Sequence, residues 1–366
     1  MTLAQFEIAA RQLATHFARS NADMADLSII GGEPTLLPAS YYQKAIPMLR
    51  RAFDGTGKKY QISIVTNLLH YKNLLPCLAQ FDLVVTSYEP SRFSTENGKQ
   101  GAQYKAPVWF DNLNRLITMG VDVGLSLATA KDVIEKGTPL LDQFVSVGVQ
   151  FFQINLVVPD GKLLKNELGE SFYTDYVSHR SDLSDLPRHQ RPRLEIPHTI
   201  IPNFQHEAEY FIDVTEWLYT QRMKAANVDV YPIASYLRQT QLRTLSDDVA
   251  CGVERGLNVR PDGIVSGCAS EMGSWTPLSY GNIFLDDIQA IIDSPRQCQH
   301  QNLNNRAHRT CLVCPHYLYC QGGCALRSRL WDEHDTSSVC HGLSPFLDYL
   351  QQHADRLTPV LLHHRS

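Results

Sequence analysis

Beyond residue 26 the hydrophobic positions switch repeatedly between two periods. DLSIIGGEP is a short apolar run that ends in a turn, and YYQKAIPMLRRAF spaces its apolar residues as a helix does. KKYQISIVTNL then predicts a strand, KNLLPCLAQF a helix and DLVVTSYEP a strand. VWFDNLNRLITMG, DVGLSLATA, VIEKGTPLLDQFVSVG and VQFFQINLVVPDG continue as helix, strand, helix, strand. Ahead of them, MTLAQFEIAARQLATHFARS has the pattern of another helix. Repeated strand–helix units predict a parallel sheet covered by helices and wound right-handedly. Ligand chemistry in such sheets sits at the carboxyl ends of the strands.

From about Asp160 to Pro202 the pattern lapses into charges and prolines, as in LPRHQRPRLEIPHTIIP, which predicts an irregular connection rather than a lid. HEAEYFIDVTEWLYTQRMK restores helical spacing and closes a first domain, residues 1–235. A cysteine-rich domain over 245–343 follows. In the last stretch, 344–366, PFLDYLQQHADRL predicts a terminal helix, with His363 and His364 in a solvated tail.

Composition narrows the class. The 366 residues are 43% hydrophobic and 19% charged, which suits a packed protein and not a disordered one. A formal charge of -5 leaves no basic footprint for nucleic acid or an anionic membrane. No apolar run approaches the roughly 20 residues that span a bilayer. The expectation is a cytoplasmic protein with neither a nucleic-acid nor a membrane partner.

The cysteines carry the most specific chemistry. Cys251 and Cys268 frame a C-x11-G-x4-C stretch with Gly263 inside it, and CLVCPHYLYCQGGC sets Cys311, Cys314, Cys320 and Cys324 at C-x2-C-x5-C-x3-C. Cys340 follows after a gap. Short loops of this kind bring thiolates within reach of one or two inorganic centres. Disulfides would need an oxidising compartment, and no apolar signal segment stands at Met1. Structural zinc takes four ligands per ion, often as two C-x2-C pairs, whereas this run has one pair and then wider steps. Iron–sulfur ligation fits better, since four cysteines hold a [4Fe–4S] cluster.

This order of cysteines resembles the SPASM domain of radical S-adenosylmethionine (SAM) peptide maturases, and YGNIFLDDIQAII resembles the glycine-asparagine turn and helix between that family's cysteine groups. The resemblance implies an α/β fold, a partial (β/α)6 barrel followed by a small SPASM-like iron–sulfur domain. It implies two auxiliary [4Fe–4S] clusters, the second on Cys311, Cys314, Cys320 and Cys340 and the first on Cys251, Cys268 and Cys324. Some relatives supply a further ligand six residues upstream of the first cysteine. Leu245 stands there, so an open iron or another ligand is implied, with Asp247, Asp248 and Cys298 as candidates.

GGEPTLLP follows the first strand and is similar to the GGEPTL segment of the same family. There the glycines let the backbone approach the methionine moiety of S-adenosylmethionine and the glutamate pairs with its ammonium group. The matching residues are Gly31, Gly32 and Glu33. Asn67 and Ser87, at later strand ends, match places where relatives contact the ribose or carboxylate, although a polar residue there also caps turns.

The family's chemistry further needs a C-x3-C-x2-C loop after the first barrel strand, and the 366 residues contain none. Cys77 is the only cysteine before Cys251, within a helical pattern that predicts a buried thiol. The expectation is that the first strand and the cluster loop lie upstream of Met1, in a truncated or else a degenerate member. The chain as it stands is then expected not to cleave S-adenosylmethionine reductively. The implied activity is hydrogen abstraction from a side chain of a peptide or protein by a 5′-deoxyadenosyl radical. An electron donor such as a flavodoxin or ferredoxin, and a separate leader-peptide-binding protein, would serve as partners. Sulfatase-maturing members place an aspartate after the second cysteine of the array. Ala269 stands there, which disfavours formylglycine formation. Two other classes stay open: a non-catalytic iron–sulfur electron-transfer subunit and a zinc-stabilised interaction module.

Overall fold

The structure is a computed structural model that describes residues 1–88, 105–158, 201–242, 256–268, 279–304, 308–324, 327–331 and 339–362. The chain packs as two compact units. One comprises Met1–Ala128, Pro139–Asn155 and Ile283–Gln289, the other Thr129–Thr138, Leu156–Asn282 and Ala290–Ser366.

In the first unit, helix α1 (Leu3–Arg19) starts on a capping box, with the Gln5 N–H donating to Thr2 Oγ1 and the Thr2 N–H to Gln5 Oε1. Its apolar face buries Ala9, Ala10, Ala14 and Phe17. Gln12 clasps the 283–289 segment, donating to the Asp286 carbonyl at 2.8 Å and accepting from the Ile288 N–H at 2.9 Å.

Five strands follow the predicted alternation: β1 (Met24–Ile29), β2 (Lys59–Thr66), β3 (Leu83–Tyr88), β4 (Val123–Ala128) and β5 (Phe151–Asn155). Each pairs with the next in parallel. The sheet is a curled half-barrel in the order β1 to β6, its last member being β6 (Asp229–Tyr231). Three residues are too few to display a period, so β6 has no signal in the sequence.

Register divides the sheet into two faces. Ile62, Ile64, Val84, Leu125, Leu127, Phe152 and Ile154 share the buried one. Ser28, Ser63, Ser87, Ser126 and Gln153 share the other, where most side chains keep contact with solvent.

Helices α2 (Ala39–Asp54), α3 (Lys105–Thr118) and α4 (Lys131–Ser146) join the strands. Two expected helices differ in detail. Residues Tyr71–Gln80 wind as a 3-10 helix, because Pro76 has no N–H to give and its ring crowds the carbonyl of the preceding turn. In α4 the axis kinks at Gly137, whose φ of 58° no residue but glycine adopts cheaply, two residues before Pro139.

The second unit gathers α5 (Phe204–Met223), α6 (Ile233–Leu242), α11 (Ser344–Gln352) and α12 (Ala354–Leu361) around Phe211, Tyr236 and Phe346, with ring centroids 5.2 to 6.3 Å apart. The expected single terminal helix is thus two, hinged at His353. Short helices α7 (Ile288–Ile292), α8 (Pro295–Asn304), α9 (Arg309–Leu312) and α10 (Tyr317–Cys320) lie between. An antiparallel sheet of β7 (Asn258–Val259), β8 (Ile264–Ser266) and β9 (Gly281–Asn282) turns at Gly263, where φ is 89°. The expected glycine-asparagine turn is therefore a strand, paired with Ile264 and Val265. The 159–200 segment and the histidine tail lie outside the described residues.

Candidate functional site

The first candidate site is built on strand ends of the first unit. Gly31 and Gly32 follow β1 and are exposed, and a Cβ added at either would meet nothing within 4 Å. Neither has a positive φ. Their lack of a side chain is thus not required by the chain's own packing or backbone, and it leaves open backbone where a ligand can lie against it.

Glu33 is held firmly. It caps the 3-10 turn Pro34–Leu36 by accepting the Thr35 N–H at 3.0 Å. It also accepts from the hydroxyls of Thr35 and Thr66 and, through Oε2, from the Asn67 N–H at 2.8 Å. Burial alone would raise its pKa, but the hydrogen bonds from Thr35, Asn67 and Thr66 outweigh that and hold the carboxyl below its usual range. Tyr42 and Asn73 brace the same turn from outside by donating to the carbonyls of Pro34 and Thr35. Sequence reasoning missed Thr35 and Thr66, since a threonine at a strand end has no distinguishing signal.

Asn67 takes the turn-capping part: its Oδ1 accepts the Leu69 N–H at 2.9 Å. Leu68 beside it adopts a φ of 58°, and Asn112 donates to its carbonyl at 2.8 Å. Ser87 lies on the polar face of β3 opposite Ser126, whose hydroxyl accepts from Asn155 at 2.9 Å.

The second candidate site is the cysteine region of the second unit. Cys268, Cys311, Cys314, Cys320, Cys324 and Cys340 are all half-buried and none is in a disulfide. Cys251, Asp247, Asp248, Leu245 and Ala269 lie outside the described residues. Cys298, a candidate extra ligand, is exposed on α8.

Cys320 keeps some exposed surface as a residue, yet its sulfur is desolvated, which pushes the thiol up to about 12. The sulfurs of Cys340, Cys311 and Cys314 push in the same direction. The Cys314 thiol is likewise raised, by burial first and then by Cys340 and Asp348, against a backbone hydrogen bond at His316. These four cysteines thus interact through space.

A Cβ built on Gly342 would lie 2.9 Å from Cys320 Sγ and 3.7 Å from Cys340 Sγ, so both sulfurs crowd one backbone position. His341 next to it bonds through Nε2 to the Gly322 carbonyl at 2.6 Å, tying the Cys340 turn to the Cys320 turn.

The donor set bears on what it can hold. Among the described residues, no three His, Cys, Asp or Glu side chains are grouped as ligands of a single ion would be. A [4Fe–4S] cluster takes one thiolate per iron, so its ligands stand farther apart than four thiolates on one zinc. Cys320 and Cys314 are desolvated, and neighbouring sulfurs oppose their ionisation, so a cationic centre is what would let them serve as thiolates.

Behind these cysteines lie buried polar groups that the sequence did not signal. Glu207, on the first turns of α5, forms a bidentate pair with Arg327, each about 1% exposed, and also accepts from Thr129. The Arg327 guanidinium lies 5.2 Å from the Phe204 ring. Arg327 Nε and Trp331 Nε1 are buried and have no hydrogen-bond partner among the described residues, an arrangement that costs about 1–3 kcal/mol per group.

No protein-family model matches the chain and no curated protein matches it. Solved structures do match. A structure of native anSMEcpe with bound AdoMet and the Kp18Cys peptide aligns with 96% of this chain and 90% of its own, at a TM-score of 0.65 and 14% identity. The crystal structure of Streptococcus suis SuiB aligns with 88% of this chain and 67% of its own, at 0.55 and 14%. SuiB bound to precursor peptide SuiA gives 0.56 and 15%, over 88% of this chain and 65% of its own. Both are radical SAM/SPASM enzymes, and at these identities the likeness is one of fold: the chain shares the α/β half-barrel architecture of those structures.

Proposed function

We propose that this chain is a radical SAM/SPASM-type maturase that modifies side chains of a peptide or protein in the cytoplasm. In this reading Cys311, Cys314, Cys320 and Cys340 hold one auxiliary [4Fe–4S] cluster, and Cys251, Cys268 and Cys324 another. The observation that carries it is the desolvated Cys320 sulfur set against those of Cys340, Cys311 and Cys314, in a fold shared with enzymes crystallised with AdoMet and with peptides. When bound, the clusters supply one-electron transfer.

The chain's own residues bind and orient. Gly31 and Gly32 let S-adenosylmethionine lie against bare backbone. Glu33 Oε2 accepts the Asn67 N–H and has acceptor capacity left for an ammonium group. Asn67 and Ser87 offer polar contacts at neighbouring strand ends. A flavodoxin or ferredoxin supplies the electron, and a separate protein grips the leader peptide. Because the 366 residues include no C-x3-C-x2-C run, they bind S-adenosylmethionine weakly and do not cleave it by themselves.

Anaerobic reconstitution with iron and sulfide tests the reading. It expects close to two clusters per chain, calorimetrically detectable binding of S-adenosylmethionine, and no 5′-deoxyadenosine with dithionite. Stoichiometric zinc without sulfide favours the interaction module instead. Clusters without any S-adenosylmethionine binding favour the electron-transfer subunit, for which the engagement of Glu33 by Thr35, Thr66 and Asn67 is the supporting observation.

A further inference from the structure

We propose that the Trp331 indole N–H donates a hydrogen bond to a sulfur of the cluster carried by Cys311, Cys314, Cys320 and Cys340, and thereby raises that cluster's reduction potential. The inference rests on the function proposed above. Its starting point is an unsatisfied group: Trp331 Nε1 is buried and has no partner among the described residues. An indole nitrogen is a donor only, so nothing but an acceptor can satisfy it. Among the described residues no atom, cysteine sulfurs included, is in hydrogen-bonding position to it.

The ring is wedged between the segments that carry the cysteines. It lies 5.2 Å from the His308 ring, edge-on, and 5.3 Å from the His341 ring. The His308 carbonyl accepts the Cys311 N–H at 3.0 Å. His341 follows Cys340 directly and bonds to Gly322, two residues beyond Cys320. The turn that presents the indole is itself fixed: the backbone N–H of Trp331 donates to the Ser328 carbonyl at 3.3 Å, that of Ser328 to the Cys324 carbonyl at 3.0 Å, and Arg327 at the start of the turn is locked to Glu207. The indole is thus held against His308 and His341, which adjoin the Cys311 and Cys340 segments, and its unpartnered N–H calls for an acceptor that these neighbours do not supply.

The consequence is electrostatic. Reduction adds negative charge to a cluster, and an N–H dipole aimed at its sulfur stabilises that charge. Trp331 is then a tuning residue that acts through the hydrogen bond, not a ligand.

The test compares wild-type full-length protein with Trp331→Phe, both reconstituted anaerobically. The phenylalanine keeps an aromatic ring and removes the N–H. Iron content is expected to stay the same, and one cluster is expected to become harder to reduce in a titration followed by paramagnetic resonance. The expected change is roughly tenfold in the reduction equilibrium, a downward shift of ~59 mV for one electron. The shifted signal should be the one that Cys314→Ala abolishes.

In wild-type protein labelled with indole 15N, nuclear double resonance should detect coupling of that nitrogen to the reduced cluster. Unchanged potentials, a shifted signal that survives Cys314→Ala, or absence of the 15N coupling each overturn the proposal. Should Trp331→Phe lose iron, the 15N coupling in wild-type protein decides alone. A wild-type protein that assembles no cluster overturns the proposed function along with this inference, whereas clusters without the coupling overturn this inference only.

Discussion

The Glu33 carboxylate and the Asn67 backbone N–H stand 2.8 Å apart, joining the turn after the first strand to the turn after the second. The glutamate therefore ties the two strand-end turns together. Glu33→Ala should cost about 1–2 kcal/mol of stability, the usual loss for a helix cap, read as a lower urea midpoint. Its pKa is lowered in the folded chain, so its contribution is full above the unfolded value near 4.5 and is lost as pH falls through the folded value. The acid limb of the stability profile should accordingly flatten in Glu33→Gln.

Gly31→Ala and Gly32→Ala should behave differently. Neither glycine has a positive φ and neither has a neighbour for an added methyl to strike. Thermal stability should stay within about 0.5 kcal/mol of wild type. Binding of S-adenosylmethionine, measured by calorimetry, should weaken about tenfold, the equivalent of ~1.4 kcal/mol. Unchanged binding would remove this turn from the cofactor site.

Gly342→Ala places a methyl 2.9 Å from Cys320 Sγ, closer than contact allows. The sulfur must shift from its present position. Reconstituted protein should lose the iron of one cluster while its circular dichroism stays that of a folded chain. Full iron content in this variant would mean that the Cys320 sulfur is not a ligand.

Cys314→Ala and Cys324→Ala should remove different clusters, although both residues belong to one short run. The Cys340 sulfur opposes ionisation of the Cys314 thiol, and those of Cys340, Cys311 and Cys314 oppose ionisation of Cys320, so these four sulfurs are neighbours. Mössbauer spectra of the two variants should each retain one cluster, and not the same one. Loss of one and the same cluster in both would overturn the partition of ligands.

Glu207→Ala should be the most damaging of these substitutions, because it leaves the Arg327 guanidinium buried without its counter-charge. A loss of about 3–5 kcal/mol is expected in chemical denaturation. The double variant Glu207→Leu, Arg327→Met should recover much of that loss, since apolar replacement removes the need to solvate either charge.

How much of this was legible in the chain depends on the range of the interaction that encodes it. Strands β1 to β5 and helix α1 were readable because burial imposes a period of two or of 3.6 on consecutive residues, and that pattern survives in one dimension. The cysteine spacing was readable for the same reason: loop length limits how far apart neighbouring thiols can stand. The turn at Gly31–Glu33 stood out through its resemblance to the GGEPTL segment at a strand end, in a chain that also carries the cysteine array. Where local chemistry overrode the period, as at Pro76 in the expected helix and His353 in the terminal one, the structure departed from the pattern.

What only the tertiary structure decided are contacts between residues far apart in the chain. Thr66 lies 33 residues from the Glu33 carboxylate it supports, and Arg327 lies 120 from Glu207. Gly342 against Cys320 and Trp331 between His308 and His341 are of the same kind. Such pairs leave no period and no spacing, because the fold brings them together only after the strands and helices have packed. The candidate chemistry was thus written in local runs of sequence, while the residues packed around it are chosen in three dimensions, because packing joins positions that no local pattern links.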